Sequence, residues 1–569
     1  MIYFVALIVG LAGLLFGFDE GVIAGALQAL RVQFDLSAFD EGLMTAAVPF
    51  GALFGALIGG PLSGHIGRRG ALLCAATLFT IGALLAGMAT AVWMLTLSRL
   101  GLGLAVGVAA IVAPLYISEI APAHRRGMLV SVYQLAITIG ILSAYLVNYA
   151  FDERWRTMFM LGAVPGVALF IGMLLLTDTP RWYLMKGRED KAAHALRRLR
   201  HGSDAELSTI RDSLAEQTTS PAWSELLSPV VRPAFIVGIG LFFLQQLSGI
   251  NAVIYYAPTV FQEAGFDSSA SPLMATIGVG IVNVLMTIVG MALIDRIGRR
   301  KLLYLGFIGT TLSLGLIAVG AATGSKSLDI LAVIGLIGYI ASFAASIGPL
   351  PWVMMSEIFP SRVRGLAMSV TSLSNWLFNF IVVFSFPLLV STFGLGAVFG
   401  LYALVCAAGL LFTWRYVPET NGVTLEAIEQ YLLSGKPLHT LRPAPVIITQ
   451  TDSPQISQQV CTDLITAVIQ LSPYERALMP IYAHIGLVAH QNHQINTALR
   501  DLHARLVTQY GAWDTHPLSK RTLGPQGPVL FTFLEHIRFA STDFLSTVKE
   551  APADHVARRI DREINWKKS

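Results

Sequence analysis

Long stretches of this chain contain no Asp, Glu, Lys or Arg: 42 to 67, 70 to 98, 100 to 118, 128 to 151, 157 to 177, 233 to 262, 268 to 294, 302 to 325, 330 to 356 and 365 to 414. About 20 apolar residues cross a bilayer as a helix, so each stretch reads as a membrane span. The last is long enough for two, separated by a turn at Ser391 to Gly396. With residues 2 to about 29 the expected number is twelve. Composition points the same way: 54% of the 569 residues are apolar and 13% charged, against roughly 25% charged in a soluble domain. So few charges cannot cover a water-soluble fold of this size, and the surface must meet the lipid bilayer. A net charge of +4 is too slight to point to nucleic acid. Cys74, Cys406 and Cys461 lie far apart and suggest neither a disulfide framework nor a metal module.

The basic residues orient the spans. Arg68 and Arg69, Arg125 and Arg126, the Lys/Arg cluster between Arg181 and Arg232, the group Arg296, Arg299, Arg300 and Lys301, and the pair Arg362 and Arg364 occupy alternate connections. The opposite set holds only Arg31, Arg154, Arg156 and Lys326. The positive-inside rule places the first set, and both termini, in the cytoplasm. A cleaved signal peptide is a poor reading, because no basic segment precedes the first apolar run and Asp19-Glu20 interrupt its end. The chain starts almost inside its first helix, which leaves room for a short cytoplasmic leader ahead of it.

Two motifs occur twice. Gly67-Arg68-Arg69 returns as Gly298-Arg299-Arg300, and Ser118-Glu119-Ile120-x-Pro122-x-x-x-Arg126-Gly127 returns as Ser356-Glu357-Ile358-x-Pro360-x-x-x-Arg364-Gly365. Duplicated six-helix halves, residues 1–177 and 233–417, are the expected architecture: an all-α membrane protein of two pseudo-symmetric bundles that rock about a central site. The polar linker 178–232 contains a charged segment, Lys186 to Arg200, whose apolar residues recur at helical spacing, as in an amphipathic helix on the cytoplasmic face. After a tail and linker at 418–455, residues 456–569 have helical periodicity but no run able to span a membrane. They read as a small soluble helical appendage of unknown role, a place for a cytoplasmic protein partner. Its histidines, among them His484, His490 and His493, make no metal site: residues advance 100° each round a helix, so His484 and His490 face apart, and no Cys or carboxylate cluster joins them.

Only Asp19, Glu20 and Arg99 are charged well inside the spans, where each ion costs at least ~2.5 kcal/mol unless paired or wetted. At 1.5 Å per residue Asp19 lies roughly 26 Å from the start of the first span and Arg99 roughly 28 Å from the cytoplasmic end of the fourth, so their depths match. A carboxylate that pairs with an arginine, or is protonated when the pair opens, is what coupling a proton to a conformational change requires. A permanent ion pair tying two helices together is the simpler alternative. Glu20, one residue round the helix near the outer end, is expected to face water.

A second constellation is uncharged: Gln134 in the fifth span, Gln245, Gln246 and Asn251 in the seventh, Trp352 in the tenth, and Asn375 beside Trp376 in the eleventh. Amides both donate and accept hydrogen bonds, and indoles cover the apolar face of a sugar ring, so the set suits a neutral polyhydroxylated solute. Gln245 and Asn375 lie ~18 and ~15 Å from the inner ends of their spans, near the middle of a ~30 Å core. Each amide taken singly fits interhelical hydrogen bonding equally well, but several at one depth in both halves argue for a cavity.

The stretches Gly13-Leu-Leu-Phe-Gly-Phe-Asp-Glu-Gly-Val-Ile-Ala-Gly25, Arg99 followed by Gly101 to Gly107, Pro114-Leu-Tyr-Ile-Ser-Glu-Ile-Ala-Pro122, Gln245-Gln-Leu-Ser-Gly-Ile-Asn-Ala-Val-Ile-Tyr-Tyr256, Gly348-Pro-Leu-Pro-Trp352 and Pro418-Glu-Thr-Asn-Gly422 occur in order along residues 1 to about 433. Together they resemble the sugar porter branch of the major facilitator superfamily. The resemblance implies sugar binding by Gln134, Gln245, Gln246, Asn251 and Asn375, with Phe16 and Trp352 lining the site. It implies an outer gate at Tyr255 and Tyr256, and a bend in the tenth helix at Gly348, Pro349 and Pro351. Asp19 falls on the proton-coupling aspartate of bacterial sugar symporters, paired with Arg99, where passive glucose facilitators resemble one another in carrying Asn. Glu119 with Arg126, and Glu357 with Arg364, look like charge clusters that latch the halves on the cytoplasmic side, helped by Arg68, Arg69, Asp295, Arg299 and Arg300.

Two departures stand out against that pattern. The second half has Asp295-Arg296-Ile-Gly-Arg-Arg whereas the first has Gly64-His65-Ile-Gly-Arg-Arg, which loses an acid and a base and is expected to weaken the N-terminal latch. Ile141 stands one turn beyond the point where some symporters of the family supply a further Gln, which leaves the sugar open. The expectation is a proton-coupled monosaccharide symporter of a bacterial inner membrane working by alternating access, with the proton as coupling ion and no bound cofactor or metal. A sugar uniporter, or a transporter-like sensor signalling through the appendage, are the competing readings. No enzyme is expected, because the spans hold no nucleophile–base pair or metal-ligand set.

Overall fold

A computed structural model describes residues 2–121, 126–152, 154–200, 207, 208, 211, 223–263, 270–323, 328–360, 362–423 and 425–441. The expected appendage, with Cys461 and its histidines, lies outside them, as does the Arg126 side chain. The described residues form helices: α1 (Ile2–Phe34), α2 (Ala38–Gly87), α3 (Val92–Ile120), α4 (Arg126–Phe151), α5 (Trp155–Leu161), α6 (Ala163–Leu175), α7 (Pro180–Met185) and α8 (Glu189–Arg200), followed by α9 (Arg232–Leu247), α10 (Ile250–Glu263), α11 (Ala270–Ile297), α12 (Arg299–Thr323), α13 (Leu328–Ser342), α14 (Leu350–Ile358), α15 (Arg364–Tyr416) and α16 (Leu425–Leu433).

Ten stretches among them are long and apolar enough to cross a membrane. Two are of unusual length, α2 with 50 residues and α15 with 53. At 1.5 Å per residue such helices would run about 75 Å, more than twice a hydrocarbon core. Each is broken once, at Gly67 (φ 91°, ψ 162°) and at Gly394 (φ 78°, ψ 160°), left-handed positions that glycine adopts without a Cβ clash. The break in α15 falls inside the turn expected at 391 to 396. The chain reverses between α2 and α3 at residues 88–91, which corrects the sequence reading: a charge-free run had been split at Arg99, but Arg99 lies inside α3 and the turn itself carries no charge. Ser37 starts α2 with a reciprocal cap, its hydroxyl accepting from the Asp40 amide and the Asp40 carboxylate accepting from the Ser37 amide.

With no hydrophobic drive between helices in lipid, close packing holds such bundles together, and small residues set the approach. Gly13, Gly17 and Gly21 recur every four residues on α1, and Gly140 faces them from α4. A Cβ on Gly17 would stand 1.9 Å from the Ile137 carbonyl oxygen, and one on Gly140 would stand 2.4 Å from that of Leu14. The α2–α3 contact is built the same way from Gly51, Gly55, Gly103 and Gly107. Outward faces are apolar, with Leu57, Ile58, Ile81, Ile171, Leu285, Leu312, Leu404 and Leu411 among the exposed large side chains, as a lipid-facing surface requires. The segment expected as an amphipathic helix forms α8, which buries Ala192, Ala195 and Leu196 and exposes Glu189 and Lys191. Replacing Gly17 by Val forces α1 off the α4 backbone, at about 3 kcal/mol or more. Size-exclusion chromatography of detergent-purified G17V is expected to show aggregated protein where the parent gives one symmetric peak.

Candidate functional site

The centre of the bundle is organised by two interrupted helices. Between α9 and α10 the backbone turns at Gly249 (φ 87°), where a Cβ would stand 2.3 Å from the Tyr402 ring. Ser248 holds the break, its hydroxyl donating to the Gln245 carbonyl (2.6 Å) while its own carbonyl accepts from the Tyr339 hydroxyl (3.0 Å). Beyond α13 the chain passes through a π turn, Phe343–Ile347, before α14. Pro351 has no N–H to offer the Ile347 carbonyl four residues back. The Gln245 amide takes its place, donating to Ile347 (2.9 Å) and to Gly348 (2.7 Å). Gly348, Pro349 and Pro351 therefore sit at an actual irregularity, and a glutamine from the other broken helix covers the carbonyls it frees.

From Gln245 the polar chain runs on. Gln246 donates to the Asn375 side-chain oxygen (2.7 Å) and accepts from the Asn251 amide (2.6 Å), and all four amides are buried. Four of the five predicted amides thus converge on one network joining α9, α10 and α15. Gln134 is half-buried on α4 and stands apart from that network. Phe16 meets Trp376 edge to face, ring centroids 5.2 Å apart, whereas Trp352 packs on Phe242 at 4.8 Å. The indole opposing Phe16 across the halves is therefore Trp376, the residue beside Asn375. Trp376 Nε1 and Asn379 Oδ1 are buried without a hydrogen-bond partner. The i, i+4 spacing of Asn375 and Asn379 was a readable sign that both amides share one face.

Asp19 of α1 and Arg99 of α3 face each other at 3.6 Å, Oδ1 to Nη1, with Asp19 2% exposed and Arg99 0%. That is ion-pair distance but too long for a hydrogen bond. Arg99 Nε donates to the Met44 carbonyl (3.1 Å) and its guanidinium lies 5.7 Å from the Phe159 ring centroid, while Nη1, Nη2 and Asp19 Oδ2 have no hydrogen-bond partner. Glu20 overturns the expectation of a water-facing side chain: it is 3% exposed. The glycine stripe presses α1 closely onto α4, and the residue after Asp19 is buried in the packed bundle. Both gate tyrosines are fully buried in α10. Tyr256 interrupts the helix (φ −117°, ψ 15°), donates to the Val383 carbonyl (3.4 Å) and stacks near Phe386, while the Tyr255 hydroxyl has no partner.

The arginine turns repeat a single construction. In the first half Arg68 forks onto Glu119 (3.0 and 2.7 Å), the Arg68 and Arg69 amides donate to Asp178 (3.0 and 3.2 Å), and the Thr179 hydroxyl donates to Glu119 (2.5 Å). In the second, Arg299 bonds Glu357 (2.9 Å), the Arg299 and Arg300 amides donate to Glu419 (2.9 and 3.1 Å), and the Thr420 hydroxyl donates to Glu357 (2.6 Å). Asp178-Thr179 and Glu419-Thr420 are thus matched partners that the repeat search did not connect, because only the threonine is shared. Burial pushes the Asp178 carboxyl up from its usual range, against the pull of the Thr179, Arg68 and Arg69 amides. Arg69 and Arg300 tie the same turns to carbonyls at the ends of α6 and α15. Arg364 donates to the Phe359 carbonyl (3.2 and 3.1 Å). Asp295 also reaches Arg299 (3.0 Å) but is largely exposed. Its missing counterpart at Gly64 is offset by the forked, more buried geometry of Arg68–Glu119. In this conformation each of these pairs lies within its own half.

Hydrogen bonds and ring contacts between the halves gather toward the end of the bundle away from these turns. Tyr145 donates to the Ile254 carbonyl (2.9 Å), Gln262 bonds Gln28, Phe39 meets Phe384 and Phe50 meets Phe380. A Cβ on Gly42 would stand 2.5 Å from the Phe384 carbonyl oxygen.

The pattern of the family described as "Sugar (and other) transporter" matches residues 5–432. A D-xylose transporter of Levilactobacillus brevis is 42% identical over 74% of this chain and 94% of that protein. The galactose-proton symporter of Escherichia coli K12 is 40% identical over 78% and 96%. Among solved structures, the inward-open xylose transporter XylE of E. coli superposes with a TM-score of 0.66 at 30% identity, covering 76% of this chain and all of that one. These are transporters and not enzymes, and this chain belongs with them to the sugar transporter family of the major facilitator superfamily.

Proposed function

We propose that the protein is a proton-coupled monosaccharide symporter of the bacterial plasma membrane, with both termini cytoplasmic. The observation that carries the coupling is the Asp19–Arg99 pair: two buried charges at 3.6 Å, with three of their polar atoms lacking hydrogen bonds. A buried ion pair offsets its desolvation only when its hydrogen bonds are complete, and here they are not. Such a pair is readily opened by a proton on Asp19, which leaves Arg99 on the Met44 carbonyl and frees α1 to move against α3. The names of relatives fit, since both galactose-proton and xylose-proton symporters occur among them.

Splitting α2 at Gly67 and α15 at Gly394 turns the ten long stretches into twelve crossings. The Phe16–Trp376 pair bridges the halves, and with the adjoining amide network of the second half it takes the sugar. Trp376 Nε1 and Asn379 Oδ1 supply a donor and an acceptor to its hydroxyls. Contacts between the halves away from the arginine turns correspond to a closed outer side. In the opposite, outward-facing state the Arg68–Glu119 and Arg299–Glu357 clusters approach one another and latch the cytoplasmic side, a role for a network rather than for isolated pairs worth ~0–1 kcal/mol. A soluble partner of residues 456–569 remains part of the proposal only as a cytoplasmic protein.

Uptake into proteoliposomes with an imposed pH gradient tests the coupling. Asp19→Asn is expected to abolish accumulation against a gradient while sparing sugar exchange; accumulation by wild-type protein that ignores a protonophore would mean uniport. Gln245→Leu strands two helix carbonyls and removes an amide from the site. Its expected cost is about 1–3 kcal/mol, roughly a ten- to hundredfold loss of sugar affinity by equilibrium binding.

A further inference from the structure

Two carboxylates, not one, are buried at this level of α1. Glu20 stands next to Asp19 on α1, at 3% exposure, and among the described residues no cation pairs with it and no hydrogen bond reaches its carboxylate. It lies one helical turn beyond Phe16, on the face that carries the sugar-site aromatic. Three tyrosines are within electrostatic reach of it: Tyr133 and Tyr145 from α4 and Tyr255 from α10. The Tyr145 hydroxyl is committed to the Ile254 carbonyl, but those of Tyr133 and Tyr255 are buried without a partner. The other charges on elements packed against α1 are engaged elsewhere. Arg156 of α5 bonds Gln33 and the Ala89 carbonyl, Glu41 of α2 bonds Arg31, and α6 contains no titratable side chain. Asp19 is paired with Arg99, and Glu20 beside it is left without a counter-ion among the described residues. With both acids ionised, one uncompensated negative charge is held away from water, which is strongly disfavoured. One proton restores neutrality and can leave the Asp19–Arg99 pair intact.

We propose that Glu20 is a second proton-binding carboxyl of the coupling site, holding that proton while the outer side is closed and titrating jointly with Asp19 during the cycle. Adjacent acids that interact lose their protons in two steps belonging to the pair. The proposal rests on the proton-coupled reading above, but its test separates the two.

The test measures protons taken up on sugar binding, with an indicator dye in weakly buffered detergent solution, together with the pH dependence of sugar exchange from pH 5 to 9, using D-xylose and D-galactose as probes. Glu20→Gln is expected to shift the midpoint of the exchange profile by about one unit or more, the threshold for coupled titration. It should also alter the number of protons taken up between those pH limits. Glu20→Asp is expected to restore a two-step profile. A Glu20→Gln protein with the parent's profile and proton uptake at every pH would overturn the role of Glu20, whatever Asp19→Asn does. Driven accumulation surviving in Asp19→Asn would instead sink the coupling reading. If Glu20→Gln does not fold, Glu20→Asp serves alone: an unshifted profile in that variant would equally refute the proposal.

Discussion

A polar group held away from water must find its partner inside the protein, and in a bilayer there is no other supply. That constraint explains the placement of nearly every irregular feature in this molecule. Where Pro351 removes a backbone donor, Gln245 replaces it from a neighbouring broken helix. Where Gly67 and Gly298 leave the helix, Asp178 and Glu419 collect the freed amides of the arginines that follow. Among the groups still unsatisfied in the described residues are Asp19 Oδ2, two nitrogens of Arg99, and polar atoms of Tyr133, Tyr255, Trp376 and Asn379. Buried groups of this kind call for a partner, and the proposed proton and hydroxylated solute are partners of the right chemistry.

The same economy governs the packing. Stripes of glycine bring α1 onto α4 and α2 onto α3 at backbone distance, giving rigid pairs that can move as units. Between the halves the described residues also pack closely, Gly42 against the Phe384 backbone and Gly280 against Tyr145, with aromatic pairs beside them.

Much of this was legible in the order of residues, for identifiable reasons. Charge-free runs report spans because ions are costly in lipid, and one boundary was misplaced, at 88–91, where the turn carries no charge and Arg99 stands inside α3. The pairing of Asp19 with Arg99 was readable because depth along a helix follows from 1.5 Å per residue. The convergence of Gln245, Gln246, Asn251 and Asn375 followed from their common depth. That Trp376 meets Phe16 while Trp352 meets Phe242 was not legible, since depth says nothing about which way a ring turns. Asp178 and Glu419 were missed because equivalent roles are filled by different acids.

Sequence by itself determined what had to be buried in lipid, which segments repeat, and that three ions stand where ions are expensive, because each of these is a property of residue type and spacing. Only the tertiary structure decided that Glu20 is enclosed with them. The backbone packed on α1 comes from α4, more than a hundred residues away, and the distance between the helices is set by glycines whose effect appears only once the partner backbone is in place. Helical phase gives the direction of a side chain, but what lies in that direction depends on packing.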